Sequence, residues 1–326
     1  MQQSGREFAE VHQVRFGAPV VASDGASGNV AHVLVDPAAR AATHIGVRLA
    51  RWRGQTYNVP LAALASANAD GATLTITRDE VSKGAPLNAA PLERLVRGTT
   101  VASEQKTVGR LKQISFTRAA GTLHRMVVSR GAGRDVYVAA ASAYSFGEKR
   151  IAVRLTPAEV DGLTVARPDA DLKREAEAAL FDYQRLRIDL AGIDLRAIDG
   201  EIWLLGHVSS ELNSRLIVEQ LRGLRDLAAI HNYLIADSEL AATVAAALAR
   251  DPRTRGQHIG VYPTLGQVRL GGAVESPTVA EAAAQVARAV PGVTNVIAQL
   301  EVRPGLAGLP VFAGVSGMED IVPGGG

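Results

Sequence analysis

At 326 residues, with 47% hydrophobic and 21% charged residues, the chain is long enough for several domains that each bury a core. It has no cysteine, which excludes disulfides, thiolate catalysis and cysteine-ligated zinc. The net charge of +2 hides an imbalance: residues 1–168 hold 21 Lys and Arg against 13 Asp and Glu, and residues 169–326 hold 14 against 20. A basic half joined to an acidic half points to docking within the chain or to head-to-tail assembly, and equally to two solvated surfaces.

The N-terminal stretch "MQQSGREFAEVHQVRFG" lacks the apolar core of a secretory signal, and no run of about 18 apolar residues could span a bilayer. The expected location is the cytoplasm, with peripheral contact at the inner membrane left open. Next come "PVVASD", "GNVAHVLVDP", "THIGVRLA", "QTYNVPLAAL" and "ATLTITRDEV", short strands separated by Gly, Asp and Pro. That spacing predicts a small barrel or sandwich over 14–90, with Gly28 as a structural glycine. A weaker echo, "VASEQKTVGRLKQISF", "DVYVAAASA" and "RIAVRLTPAEV", predicts a second, diverged β unit over 98–166. Inside the first unit, "RLARWRG" sets Arg48, Arg51 and Arg53 around Trp52 near a hairpin end. Arg beside Trp suits a phosphate-bearing head-group or nucleic acid; the plainer reading is a solvated loop with Trp52 folded inward.

A linker is expected at 167–171, and beyond it the sequence copies itself. "DGEIWLLGHVSSELNSRLIVEQL" from Asp199 returns as "LGQVRLGGAVESPTVAEAAAQVA" from Leu265, 66 residues on and without a gap. Each copy reads helix–strand–strand–helix–strand, over 172–237 and 238–303. Gly200 and Gly266 fall in the turns. Period-2 alternation puts Ile202, Leu204, Gly206 and Val208 on one face, matched by Val268, Leu270, Gly272 and Val274. Gly206 and Gly272 are read as places where a helix packs close to the sheet. Leu212, Leu216, Leu221 and Leu224 are expected to form the inner stripe of the first following helix. The tail, 304–326, is rich in Gly and Pro and cannot form a core alone, so it is expected to be flexible or to lie along a partner.

The two copies differ on the other sheet face. Trp203, Leu205 and His207 stand where the second copy has Arg269, Gly271 and Ala273, with Arg196, Ile198, His231 and Tyr233 expected on neighbouring strands. An apolar sheet face carrying Trp is costly to leave wet, since its burial is worth several kcal/mol at about 25 cal/mol per Å². Either the other copy or a β unit covers it, or a partner protein, second subunit or lipid does.

The residues just quoted carry a resemblance. The C-terminal half resembles two BON domains through "DGEIWLLGHVSS…LRDLAAIHNYLIA" and "LGQVRLGGAVES…VPGVTNVIAQLEV". The N-terminal half resembles the PRC-barrel through "GNVAHVLVDP" and "YNVPLAAL". The resemblance implies a bacterial, multidomain α+β protein: small PRC-like β-barrels followed by two αββαβ BON-like domains. It also implies binding, to phospholipid surfaces for BON modules and to proteins or large assemblies for PRC-barrels.

Reactive chemistry has little support. There is no G-x-x-x-x-G-K-[ST], no G-x-G-x-x-G after a strand and no G-x-S-x-G. The seven histidines, at 12, 32, 44, 124, 207, 231 and 258, form no i,i+4 pair. The expectation is a non-enzymatic adaptor with no metal, cofactor or small-molecule substrate. Its partner is a protein or a second copy, with an anionic membrane surface as a further candidate. Two rivals stay open: a self-assembling structural protein, and a nucleic-acid or ribosome-associated factor using the basic half, which lacks an aromatic platform.

Overall fold

The computed structural model describes residues 10–25, 27–49, 55–84, 91–182 and 188–305. These fall into two compact bodies. The first holds the described residues up to 182 together with 194–205 and 216–233; the second holds 188–193, 206–215 and the residues from 234 on.

The β-rich part of the first body is one pattern laid down twice. The first pass is β1 (Val11–Arg15), β2 (Pro19–Val21), β3 (Ser27–Asp36), β4 (Ala41–Leu49), β5 (Thr56–Pro60), β6 (Leu64–Ala67), β7 (Ala72–Leu74) and helix α1 (Arg78–Lys83). The second is β8 (Glu93–Val96), β9 (Thr100–Ala102), β10 (Thr107–Thr117), β11 (Leu123–Ser129), β12 (Asp135–Ala139), β13 (Ala143–Ser145), β14 (Arg150–Val153) and helix α2 (Pro157–Asp161). Even the helix starts agree. Thr77 with Glu80 and Thr156 with Glu159 each form a capping box, hydroxyl and carboxylate accepting reciprocally from the backbone.

Each pass builds a seven-stranded sheet with the same order, β5-β4-β3-β2-β7-β6 and β12-β11-β10-β9-β14-β13. The opening strands, however, change places. β8 pairs antiparallel with β3, Leu95 opposite Val33, and β1 pairs antiparallel with β10, Val14 opposite Ile114. The division expected at 90–98 therefore does not separate two bodies. β8 lies in that gap yet completes the first sheet, while β1 lies before the first sheet and completes the second. One apolar cluster runs through both, with Val33, Ile45, Leu95, Ile114, Phe116, Met126 and Ile151 all fully buried.

His12 of β1 is buried at 4% exposure, its ring edge-on to Phe116. Burial, and then the Arg118 guanidinium, lowers its pKa from 6.5 to about 4. Between those values the unfolded chain holds a proton that the folded chain does not, so stability rises with pH through this window and is lost on acidification. The shift is worth about 3 kcal/mol. Buried His32 and His44 are shifted the same way and add to the slope. His12→Gln is expected to flatten the dependence of the urea midpoint on pH between 4 and 6.5; an unchanged slope would show that this imidazole does not titrate with folding.

After the β repeats come α3 (Asp169–Phe181), β15 (Ile193–Ile198), β16 (Glu201–Val208), α4 (Glu211–Arg222) and β17 (Ala229–Ala236). Their counterparts are α5 (Asp237–Arg250), β18 (His258–Thr264), β19 (Gln267–Val274), α6 (Pro277–Ala289) and β20 (Asn295–Val302). The sheets are ordered β15-β16-β17 and β18-β19-β20. The inner-face alternation is visible in burial: Ile202, Leu204, Val268 and Leu270 are each fully buried. In the second copy Leu240, Val244, Ala283 and Ala287 pack against Val268 and Leu270.

Two local expectations need correction. Gly206 and Gly272 face a neighbouring strand's backbone instead of a helix. With φ of +107° and +114°, an added Cβ would sit 2.0 Å from the Gly192 carbonyl oxygen and 2.1 Å from that of His258. Any side chain would push the paired strands apart. In α4 the buried stripe is Ser214, Ile217 and Leu221, whereas Leu212 is 63% exposed. Of the expected stripe Leu221 is buried and Leu216 and Leu224 are half-buried; Ser214 and Ile217 complete the i, i+3, i+7 set.

Candidate docking sites

Each αββαβ unit presents a hairpin tip held by a carboxylate from its own first helix. Asp199–Gly200 and Leu265–Gly266 both have positive φ at both positions, as a two-residue type I′ turn requires. Asp169, in the first turn of α3, accepts from the backbone N–H of Asp199 at 3.0 Å and of Gly200 at 3.1 Å. Asp237, which opens α5, accepts from Leu265 at 2.7 Å and Gly266 at 3.0 Å. Sequence reasoning missed this clamp. Its signal is an Asp beginning both helices, visible only once the helix starts are placed.

The first tip is seated within the first body, on the strands β1, β10, β11 and β12. The Tyr137 ring lies against Gly200, where an added Cβ would stand 2.4 Å from a ring carbon. The Asp199 side chain is 1% exposed and accepts from Gln13 Nε2 at 2.9 Å and, more weakly, from Gln113 Nε2 at 3.4 Å. Gln13 Nε2 also donates to Asp169 at 2.6 Å. Burial pushes the Asp199 carboxyl up; a Ser115 hydrogen bond opposes this, and the Asp169 charge adds to it. The adjoining cleft of about 270 Å³ is lined by Lys112, Asp135, Arg167, Asp169 and Asp199 among others. Two of its cations are already engaged, Lys112 with Asp135 and Arg167 with Glu175.

Beside this tip lies a buried acid. Arg125 of β11 donates to the Asp199 carbonyl at 2.9 Å and pairs with Glu201. His124 and His231 stand 3.2 and 3.1 Å from the other Glu201 oxygen. Burial alone would raise the Glu201 pKa; the neighbouring His124 and His231 imidazoles and the Arg125 charge outweigh it and bring it to about 2.

The face singled out for a partner or lipid is thus closed. Trp203 is 2% exposed, with the His231 ring stacked on it at 3.9 Å and Tyr233 at 6.0 Å, and the His124 ring from β11 approaches to 6.4 Å. Leu205 is buried with it, and Ile198 and Tyr233 are half-buried against the pair. Arg196 is tied to Asp194 at 2.6 Å. His207 is buried in the second body, its Nε2 2.6 Å from the Gly292 carbonyl oxygen and its ring against Gly266, the tip of the second hairpin. Contacts inside the chain remove Trp203, Leu205 and His207 from the accessible surface, while Arg196, Ile198 and Tyr233 stay partly accessible. The reason is physical: the same apolar face that would attract an outside partner is satisfied by a neighbour in the chain. Of the Arg–Trp patch, Arg48 is exposed on β4, while Arg51, Trp52 and Arg53 lie outside the described residues.

The second sheet is different. On its outer face Tyr262 is 51% and Ile297 38% exposed. The Arg269 guanidinium covers the Tyr262 ring at 4.6 Å, and Gly260 and Gly271 make room for that ring. Among the described residues, no group of His, Asp and Glu is arranged to hold a metal ion, and no helix is long and apolar enough to cross a membrane.

The BON domain family matches residues 168–235 and 236–304. Two BON domains therefore fill 168–304. The chain is also similar to the C-terminal domain of CdsD, described as the structural protein of the type III secretion system of Chlamydia trachomatis. That likeness has 17% identity and a TM-score of 0.36, and covers 42% of this chain and 68% of the other. A second CdsD structure matches at 11% identity and a TM-score of 0.22, covering 41% and 93%. No curated protein matches the chain. The tips, clamps and open sheet described above belong to the BON pair, and the seat of the first tip to β1 and β10–β12.

Proposed function

We propose that this chain is a non-enzymatic scaffold of the cytoplasm that joins a protein assembly through the open sheet of its second BON domain. Its seven-stranded sheets act as PRC-barrel-like docking modules. One observation carries the reading: two sheets of the same fold treat the same face differently. In the first, Trp203 and Leu205 are buried by the chain itself; in the second, Tyr262 and Ile297 stay exposed. A face left open where its twin is covered is an unfilled contact surface.

The test compares wild type with Tyr262→Ser. Tyr262 is more than half exposed, so the substitution leaves the core intact. Each protein is tagged, returned to clarified lysate of its own source and sized. Wild type is expected in a particle heavier than two copies of the chain, and the variant at no more than two copies. If neither exceeds two copies, the reading fails. Sedimentation of wild type with anionic vesicles at low salt would move the surface from proteins to membranes.

A further inference from the structure

We propose that the occupant of the second BON sheet's free edge is the same edge of a second copy, pairing β20 with β20 antiparallel about Ala298. Among the described residues β20 pairs with β19 alone. It is eight residues long, and Asn295, Ile297, Ala298, Gln299, Glu301 and Val302 are exposed. Natural edges are blunted by Pro, by Lys or by a bulge. The opposite edge, β18, carries Pro263. β20 carries no Pro or Lys, and it runs against β19 in unbroken register from Asn295 to Val302.

The sequence of β20 fits itself. A twofold axis through Ala298 sets Ile297 opposite Gln299, Val296 opposite Leu300 and Asn295 opposite Glu301. Every pair then lies on one face, as strand pleating demands, and no like charges meet. Val296 is 7% exposed and Leu300 packs against the apolar core, so this pairing would extend the core of one sheet into the next. Such an isologous contact closes at two copies.

This deepens the scaffold reading and rests on it, but the two fail separately: the lysate comparison concerns Tyr262 and an outside assembly, and the following concerns purified protein. Mass is measured over a concentration series by sedimentation. Wild type is expected to move from one chain mass toward two. Ile297→Lys with Gln299→Lys places like charges opposite each other twice, and should raise the dissociation constant about tenfold or more. Ile297→Glu with Gln299→Glu should do the same. An equimolar mixture of the two double variants should recover association, because each cation then faces an anion. A wild type that stays at one chain mass, double variants that associate like wild type, or a mixture that stays dissociated would overturn the pairing.

Discussion

A chain that begins at Ala18 is expected to lose the second seven-stranded sheet while keeping the first. The deleted stretch carries β1, whose partner β10 begins at Thr107. It takes away Val14 and Phe16, 1% and 3% exposed. Burying each is worth about 1.5–3 kcal/mol, and β10 is left with an open edge over five residue pairs. The loss is of the order of 5 kcal/mol, comparable to the whole stability of an ordinary domain. Hydrogen exchange reads it directly: amides of Ile114 to Thr117 should lose protection, and those of Val33 to Val35, paired with β8, should keep it. Full-length Val14→Ala with Phe16→Ala should weaken the same amides. Equal loss in both sheets would mean that the shared core, and not the strand exchange, governs the response.

Arg125→Ala should be the most damaging single substitution at the seat of the first BON domain. It leaves Glu201, whose exposure is 4%, without its cation, and leaves the Asp199 carbonyl without its donor. Breaking a buried pair from one side costs about 3–5 kcal/mol, or roughly 10 °C in melting temperature for a body of this size. Removing both partners with apolar residues, Arg125→Met with Glu201→Leu, should recover much of that loss, because no charge is then stranded. A double variant as unstable as the sum of the singles would show that the two residues act independently.

What could be read beforehand was whatever has a period. Alternation found Ile202, Leu204, Val268 and Leu270, because a sheet against helices buries every second residue. The faint echo between the β segments had a counterpart in matching strand orders, because the strands of each pass mostly pair with near neighbours. The exchange of β1 and β8 was not legible. "VHQVR" fits either sheet, and only the packing of the whole body chooses. The fate of Trp203 was half legible: the need for cover followed from its apolar face, but the covering residues, His124 and Arg125, stand some 80 positions earlier on β11. Buried charge has no sequence period. Glu201, Asp199 and Arg125 read as ordinary polar residues until the fold brings them together.

The clamped hairpin tip has a consequence for how such a chain can grow. Because Asp169 and Asp237 grip their own turns, each BON unit shapes its tip without outside help, so a copy made by duplication arrives with a working tip. The residue at the first turn position is then free to specify an address. Asp199 reaches the glutamines Gln13 and Gln113, whereas Leu265 lies against Gly192. The two tips share a backbone shape and a clamp, yet one carries a polar residue in a polar berth and the other an apolar residue against a glycine, so each is matched to a different seat.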